Sequence, residues 1–184
     1  MVGGWQSIAT ELVETRYGAL VGYATMLTGS LPDAEDAVHD ALMSTFGKRR
    51  DLPNVLAAEG YVRRAIATKH VDGARRVVRE RAAVRRIAAQ PDEVVAGPEG
   101  VWADRSAVES ALMLLSPKER ACVVARHLNQ LTTAETAAFL GIAEGSVKRY
   151  VYDGMHKMAQ ALAVEGDVDI LEWTSVSPRK GGVS

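Results

Sequence analysis

The N-terminal half of the chain carries apolar side chains at helical spacing, interrupted by short polar breaks. Ile8, Leu12 and Leu20 lie on one face of the first amphipathic segment, which ends at Gly29. Pro32 suits the first turn of the next segment, and the acidic residues after it favour the positive end of a helix dipole. The pattern predicts three helices, over residues 5–28, Pro32–Phe46 and Ala57–Arg79, the last of which can continue to Ala89.

The C-terminal half begins with a break and then repeats a helix-start signal. Residues 90–100 (QPDEVVAGPEG) contain two prolines and two glycines without periodicity, which is typical of a linker. A helix is expected from about Ala103 to Leu115. Ser116–Glu119 (SPKE) and Thr132–Glu135 (TTAE) each match the capping box, in which a hydroxyl and a glutamate satisfy the first backbone amides of a helix.

Three residues after the second capping box have the spacing of a helix-turn-helix. Ala137 offers a small side chain where two helices cross, Gly141 suits a left-handed helix end, and Val147 is an apolar residue that can fix the second helix. The motif is predicted to span Thr132–Leu162.

The composition favours helices throughout. Aromatic residues make up 5% of the chain, whereas good helix formers such as alanine, leucine, glutamate and arginine are abundant. We therefore predict an all-α protein of two small helical domains, joined by a flexible acidic linker, with the helix-turn-helix in the C-terminal domain. The predicted boundaries are 1–89 for the first domain, 90–102 for the linker, 103–163 for the second domain and 164–184 for a C-terminal tail.

The net charge of −1 hides a segregation of charge along the chain. Residues 48–86 contain twelve basic and four acidic side chains, a local net charge of +8. Residues 91–110 contain five acidic side chains and one basic side chain. This distribution indicates a protein that contacts nucleic acid with one surface and protein with another.

The residues that most often carry catalysis or bind metals are few and dispersed. Cys122 is the single cysteine and lies in an apolar run, and the four histidines are scattered. No glycine-rich phosphate loop or metal-ligand spacing is present, so the sequence predicts neither an enzyme nor a cofactor. No apolar run approaches the roughly 20 residues of a membrane helix, and the N-terminus does not resemble a signal peptide, so we expect a cytoplasmic protein.

Two segments together resemble a known family. DAEDAVHDALMSTF (Asp33–Phe46) and SPKERACVVARHLNQLTTAETAAFLGIAEGSVKRY (Ser116–Tyr150) are similar to the two conserved domains of the extracytoplasmic-function sigma factors, within the sigma-70 family. The resemblance covers about residues 8–162. It implies an alternative sigma factor that brings core RNA polymerase to specific promoters, with an anti-sigma factor as its regulator.

The resemblance also implies which residues contact polymerase and the minus-10 element. The first segment corresponds to the helix that docks on the clamp helices of the β′ subunit, and the second domain would meet the β flap. The residues implied for polymerase docking are Asp33, Asp36, Val38, His39, Asp40 and Phe46. GYVRRAIATKHVDGARR (residues 60–76) resembles the helix that melts the promoter and reads the minus-10 element. The residues implied there are Tyr61, Arg63, Arg64, Thr68, Lys69, Arg75 and Arg76.

Three of these positions depart from the family pattern, which commonly has tryptophan at Tyr61, usually asparagine at Thr68 and often glutamine at His39. In the second domain, the start and the exposed face of the recognition helix would read the minus-35 element in the major groove. The residues implied for this contact are Glu144, Ser146, Lys148, Arg149 and Tyr152. The helix has fewer arginines than is usual in the family, so it should hold the promoter weakly by itself.

Two other interpretations remain open from the sequence. A stand-alone helix-turn-helix regulator would bind duplex DNA tightly without polymerase, and a helical interaction module would bind no DNA. For each individual residue, a solvated surface or a core position is the simpler alternative to a binding role.

Overall fold

The computed structural model describes residues 4–47, 52–85 and 106–165, and within these residues the chain forms helices and no strands. The helices are α1 (Gly4–Thr28), α2 (Leu31–Phe46), α3 (Val55–Arg85), α4 (Ala107–Met113), α5 (Pro117–His127), α6 (Thr133–Leu140) and α7 (Glu144–Glu165). The prediction of an all-α protein is confirmed. The predicted linker at 90–102 lies outside the described residues, and so does the predicted tail at 164–184 from residue 166 onward.

Helices α1, α2 and α3 pack on one another as an N-terminal bundle. Leu12 and Leu20 of α1, Val38 of α2, and Val62 and Ile66 of α3 are fully or almost fully buried between them. Their spacing within each helix is that of an apolar stripe, which explains why the periodicity located all three helices.

The start of α2 is fixed by residues on both sides of the turn. Gly29 has a φ of 86°, which ends α1, and the Ser30 side chain accepts a hydrogen bond from the Asp33 backbone amide. Ser30 Oγ in turn donates to Asp33 Oδ2 at 2.6 Å. Asp33 therefore has a local structural role at the helix start.

Helices α4 to α7 form the C-terminal unit, with α5 at its centre. Every residue of α5 from Glu119 to Ala125 is buried, and α5 contacts both α6 and α7. The capping boxes predicted at Ser116 and Thr132 are both present, with serine or threonine accepting from the glutamate amide and the glutamate accepting in return.

One predicted helix boundary needs correction. A helix was expected from about Ala103, but α4 begins at Ala107 and residues 103–105 lie outside the described part of the chain. Ser106 is the N-cap, and with Glu109 it forms a third capping box. The backbone of an N-cap residue is not helical, and Ser106 has an extended conformation, so the helix begins one residue later.

The N-terminal and C-terminal units pack against each other. Helix α5 contacts α1 and α3, and α6 also contacts α3. The buried apolar side chains of the two units form one continuous cluster, from Leu12 in α1 to Leu162 in α7.

Candidate nucleic-acid and polymerase interfaces

The helix-turn-helix has the local geometry that its sequence predicts. Gly141 follows α6 with φ 65° and ψ 41°, the left-handed conformation that glycine adopts without steric cost, and its amide donates to Ala137 O. Val147 is fully buried one turn into α7. The turn and this buried residue together set the angle at which α7 leaves the motif.

The residues predicted for minus-35 recognition lie on the accessible side of α7. Lys148, Arg149 and Glu144 are exposed, Ser146 is half-buried, and Tyr152 is 72% exposed. The part of these residues in DNA binding stays a prediction.

Aromatic contacts order this surface. The Arg149 guanidinium lies 5.0 Å from the centroid of the Tyr150 ring, and the Lys118 ammonium lies 5.7 Å from the same ring. Both distances fall within the range of a cation–π contact. Arg149, which with Lys148 is a predicted base-reading residue, therefore contacts the ring of its chain neighbour Tyr150.

His156 extends the same surface and was missed from the sequence. Its ring stacks on Tyr152 with a centroid distance of 6.5 Å and an angle of 23° between the planes. The two residues are four positions apart, which places them on one helix face. Lys148, Tyr152 and His156 follow one another at intervals of four residues, and this spacing is the sequence signal that could have identified His156.

The residues predicted for minus-10 recognition all belong to α3, but they do not share one environment. Tyr61 is 42% exposed, Arg64, Lys69 and Arg76 are exposed, and Arg63 and Thr68 are half-buried. The side chain of Arg75 lies outside the described part of the structure. The Thr68 hydroxyl donates to Arg64 O at 2.8 Å, so its hydrogen is already used by the helix backbone.

Arg63 and Arg64 both reach the C-terminal unit. Arg63 Nη1 donates to Asn129 Oδ1 at 3.1 Å, and Arg64 Nη2 donates to Ala138 O of α6 at 3.0 Å. These contacts join residues 66 and 74 positions apart in the chain. Two of the predicted DNA contacts are therefore engaged within the protein.

Arg63 also forms an ion pair with Glu59, which is itself close to Arg16. Arg63 Nη2 donates to Glu59 Oε1 at 2.6 Å, and Arg16 Nε lies 3.7 Å from the second carboxylate oxygen. The Arg63 guanidinium also lies 5.3 Å from the centroid of the Tyr23 ring. Burial raises the pKa of Tyr23 to about 12, despite its hydrogen bond with Asn129 and the nearby Arg63 charge.

The predicted polymerase-docking residues of α2 divide into an exposed face and a buried face. Asp33, Asp36, His39 and Asp40 are exposed, whereas Val38 and Phe46 are buried in the bundle core. Val38 and Phe46 therefore hold α2 in place, and the carboxylates and the imidazole form its surface. Their contact with polymerase stays a prediction.

The exposed face of α2 also includes Met43, which was missed from the sequence. Met43 is 61% exposed and follows Asp36 and Asp40 at helical spacing. Asp40 Oδ2 lies 3.4 Å from Lys69 Nζ, so this face of α2 lies next to Lys69 of α3. Both partners of this ion pair are well exposed, so the pair adds little stability.

Arg120 is the most deeply engaged arginine at the contact between the two units. Its Nη1 donates to Leu27 O at the end of α1 at 2.6 Å. Its other nitrogens donate to carbonyls at the end of α4, namely Leu112 O, Met113 O and Leu115 O. A cation at helix C-termini satisfies carbonyls that lack a helical partner and complements the helix dipole.

An open cleft of about 320 Å³ lies beside these contacts. Leu56 and Gly60 of α3 line one side, and Leu128, Leu131 and Phe139 line the other. Leu56 and Leu128 are exposed, so the cleft presents apolar surface to solvent.

The described residues contain no arrangement suited to a resident metal. Within residues 4–47, 52–85 and 106–165, no group of three or more His, Cys, Asp or Glu side chains could hold an ion. Burial raises the pKa of the Cys122 thiol to about 12, so the thiol stays protonated and unreactive near neutral pH. No helix in this part of the chain is long and apolar enough to cross a membrane.

Fold and surface together define a helical protein with a helix-turn-helix and two candidate nucleic-acid surfaces. The sequence model of the family "Sigma-70, region 4" matches residues 105–158. The RNA polymerase sigma-E factor of Streptomyces avermitilis is 32% identical over 152 residues, which cover 83% of each chain. The ECF RNA polymerase sigma factor SigL of Mycobacterium tuberculosis is 31% identical over 148 residues, covering 77% of this chain and 81% of SigL.

A solved structure supports the same fold. The sigma factor RpoE of Bartonella quintana, crystallised with the anti-sigma factor NepR, matches with a TM-score of 0.58 at 20% identity. The match covers 85% of this chain and 97% of that one. The chain belongs to the extracytoplasmic-function group of sigma factors in the sigma-70 family. The prediction of an alternative sigma factor is confirmed. The alternative of a stand-alone regulator is set aside, because the sigma-factor relatives of this chain match it over both units.

Proposed function

We propose that the two units divide the work of a sigma factor along the predicted boundaries. The unit within 1–89 docks on core polymerase and opens the minus-10 element, and the unit within 103–163 reads the minus-35 element. The observation that carries this proposal is that the chain exposes basic side chains on two separate helices, Arg64, Lys69 and Arg76 on α3 and Lys148 and Arg149 on α7. The chain therefore acts in the cytoplasm with polymerase, and the polymerase performs the chemistry.

Docking on polymerase is assigned to the exposed face of α2. Asp36 and Asp40 supply negative charge, His39 supplies a hydrogen-bonding group and Met43 supplies exposed apolar area. Charge of one sign with an apolar centre suits a protein partner of opposite charge, because charge guides the encounter and apolar burial adds affinity.

Promoter opening is assigned to α3. Its exposed Arg64, Lys69 and Arg76 can follow phosphates, while the partly exposed Tyr61 ring offers a face on which an unstacked base can lie. Single-stranded DNA is bound better than duplex by such a surface, because a base can stack only after it leaves the double helix.

Reading of the minus-35 element is assigned to the start of α7. Lys148 and Arg149 are the cations of this surface, and arginine and lysine are the side chains that most often contact guanine edges. The acidic Asp153 on the same helix reduces its net positive charge. Polymerase docked on the first unit must therefore supply part of the promoter affinity.

Control by an anti-sigma factor is part of the proposal. If the surfaces for polymerase and DNA were always accessible, the chain would direct transcription from its promoters at all times, and the structurally similar RpoE was crystallised with an anti-sigma factor. Recovery of a second protein besides polymerase subunits, in a pull-down of this chain from its native cells, would support this control. Recovery of polymerase subunits alone would contradict it.

In vitro transcription tests the proposal as a whole. Core polymerase and genomic DNA of the source organism would be incubated with and without the chain, and transcript start sites would be mapped. We expect new start sites that share two sequence elements only when the chain is present. Absence of binding to core polymerase would overturn the proposal.

Matched variants then test the individual surfaces. Asp36→Ala should reduce core polymerase binding, whereas Glu35→Ala, at an exposed neighbouring acid of α2, should not. Lys148→Ala combined with Arg149→Ala should reduce transcription while core binding is kept. Gln160→Ala, at an exposed position far along α7, serves as the control for that pair.

A further inference from the structure

Two cations from different helices meet at the Tyr150 ring of α7. The Arg149 guanidinium lies 5.0 Å from the ring centroid, and the ammonium of Lys118, in the first turn of α5, lies 5.7 Å from it. Tyr150 is half-buried and packs against the hydrophobic core. The ring is therefore a fixed support on which two long cationic side chains converge.

Neither of these cations is neutralised by a carboxylate in the part of the chain that the structure describes. Lys118 and Arg149 form no ion pair with residues 4–47, 52–85 and 106–165. Lys157, two helical turns beyond Tyr150, differs from them because its ammonium donates to both oxygens of Glu119, at 2.8 and 2.9 Å. Like charges repel each other, so two cations held at one ring favour an anion bound between them.

The contact with Tyr150 also sets the direction of the Arg149 side chain. Lys148 and Tyr150 lie about 100° to either side of Arg149 on the helix, because an α-helix has 3.6 residues per turn. The Arg149 guanidinium lies over the Tyr150 ring, so it turns toward α5 and away from Lys148. Arg149 therefore groups with Lys118, and Lys148 lies on the other side of the recognition helix.

The position of α5 determines which part of the DNA these cations can reach, and this step rests on the function proposed above. The major groove is about 12 Å wide, and a helix with its side chains is about 10–12 Å across, so α7 fills the groove when it reads bases. A side chain from a neighbouring helix then meets the edge of the groove, where the phosphates lie. Lys118, and the Arg149 guanidinium beside it, are thus close to the DNA backbone.

We propose that Lys118 and Arg149 together bind one backbone phosphate at the edge of the minus-35 element, and that Tyr150 positions both cations. These three residues are called the phosphate clamp below. Residues 144–155 of α7 contain two basic and two acidic side chains, so this part of the helix has no net positive charge by itself. Lys118 adds a cation from α5, which strengthens the attraction to the DNA backbone.

Neutral phosphates in the DNA test the clamp directly. Promoter fragments would carry one methylphosphonate, which removes one negative charge, at successive positions of the minus-35 element, and holoenzyme affinity would be measured by fluorescence anisotropy. We expect one position at which the wild-type holoenzyme binds about tenfold more weakly, as for loss of a hydrogen bond between charged groups. At the same position, the Lys118→Ala and Arg149→Ala holoenzymes should lose about threefold or less, because groups in contact have non-additive effects.

Two substitutions of Tyr150 separate the aromatic ring from simple packing. Tyr150→Phe keeps the ring face and should bind the promoter as wild type does. Tyr150→Leu fills apolar space without a ring face, and it should weaken binding roughly two- to fivefold, the range of an exposed cation–π contact. It should also reduce the effect of the critical methylphosphonate, whereas circular dichroism should show both variants to be folded. Equal promoter affinity of the two variants would overturn the positioning role of Tyr150.

Lys157→Met is the matched control for loss of a positive charge, because Lys157 lies beside α5 but is already paired with Glu119. It should leave the effect of every methylphosphonate unchanged. If the methylphosphonate effects in Lys118→Ala and Arg149→Ala equalled those in wild type, while wild type directs transcription, the clamp would be overturned and the proposed function would stand. Failure of the wild-type chain to direct transcription would overturn the proposed function and the clamp with it.

Discussion

Gly154 of α7 packs against Val123 of α5 so closely that a Cβ at position 154 would lie 2.9 Å from Val123 Cγ2. The same Cβ would lie 3.4 Å from Leu115 Cδ1. Real Cβ atoms do not approach other heavy atoms so closely, and the branched valine side chain has little freedom to turn away. Gly154 therefore sets the distance between α5 and the helix that carries the proposed minus-35 residues.

Gly154→Ala should destabilise the protein by about 1–3 kcal/mol, the usual cost of adding a methyl group to a packed core. Urea unfolding followed by circular dichroism measures the change. Gly18→Ala is the matched control, because Gly18 is also inside a helix but a Cβ there has nothing within 4 Å. It should be neutral or stabilise by up to about 1 kcal/mol. Equal effects of the two substitutions would contradict the close packing at Gly154.

Helix starts were the feature most accessible from sequence, because capping is a local interaction. Ser116 and Thr132 were identified from serine or threonine followed three residues later by glutamate, and both are N-caps. Ser106 and Glu109 have the same pattern and form the same box. The expected start at Ala103 missed this box, although its pattern is as visible in the sequence as the other two.

Contacts between the units were not accessible from sequence. Arg120 and Leu27 are 93 residues apart, and Arg63 and Asn129 are 66 residues apart. Helical periodicity and capping specify single elements, whereas the meeting of two loop or helix ends depends on how complete units pack. The charge of Arg63 predicted a nucleic-acid contact, but charge alone does not distinguish a phosphate from a carbonyl or a carboxamide as the partner.

The Glu119–Lys157 pair should make stability depend on pH at the acid end. Burial alone would raise the pKa of Glu119, but the hydrogen bonds from Lys157 and Ser116 outweigh it and lower the pKa below 4.5. Stability from this carboxylate is therefore present above about pH 4.5 and is lost as pH falls through the lower folded value. Glu119→Gln should flatten this dependence and cost about 1–2 kcal/mol at pH 7, where capping and the ion pair are both weakened.

Urea unfolding between pH 3 and pH 7 would measure this dependence. Lys157→Met and the double variant complete a cycle that separates the ion pair from the capping contribution of Glu119. An acid dependence unchanged in Glu119→Gln would show that other carboxylates account for it.

His70 should resist protonation far below the pH at which histidine usually gains its charge. Burial, with a smaller contribution from the Arg120 charge, lowers its pKa from 6.5 to about 4. The unfolded chain therefore takes up the proton first, so stability is fully present above pH 6.5 and declines as pH falls from 6.5 toward about 4. The decline is of order 3 kcal/mol at most.

Nuclear magnetic resonance of the His70 ring across this pH range measures its titration directly. His70→Leu should remove the decline in stability between pH 6.5 and about 4 while changing stability at pH 7 little, because Nε2 has no partner among the described residues. Titration of His70 near pH 6.5 in the folded chain would contradict its burial beside Arg120.

The salt dependence of promoter binding by the holoenzyme should show whether Lys148 and Arg149 contact DNA phosphates. Each cation that contacts a phosphate releases about one counterion, so its removal should lower the slope of log affinity against log salt by about 1. A residue that contacts a base edge should instead relax the preference for one minus-35 base by about 1–3 kcal/mol, with little change in slope. Binding of a mapped promoter fragment by Lys148→Ala and Arg149→Ala holoenzymes, over a series of potassium chloride concentrations, separates the two roles.

Arg16→Ala, which removes a partly exposed cation from α1, should change neither the salt slope nor the minus-35 base preference. If both α7 variants matched this control, α7 would not be the helix that reads the promoter.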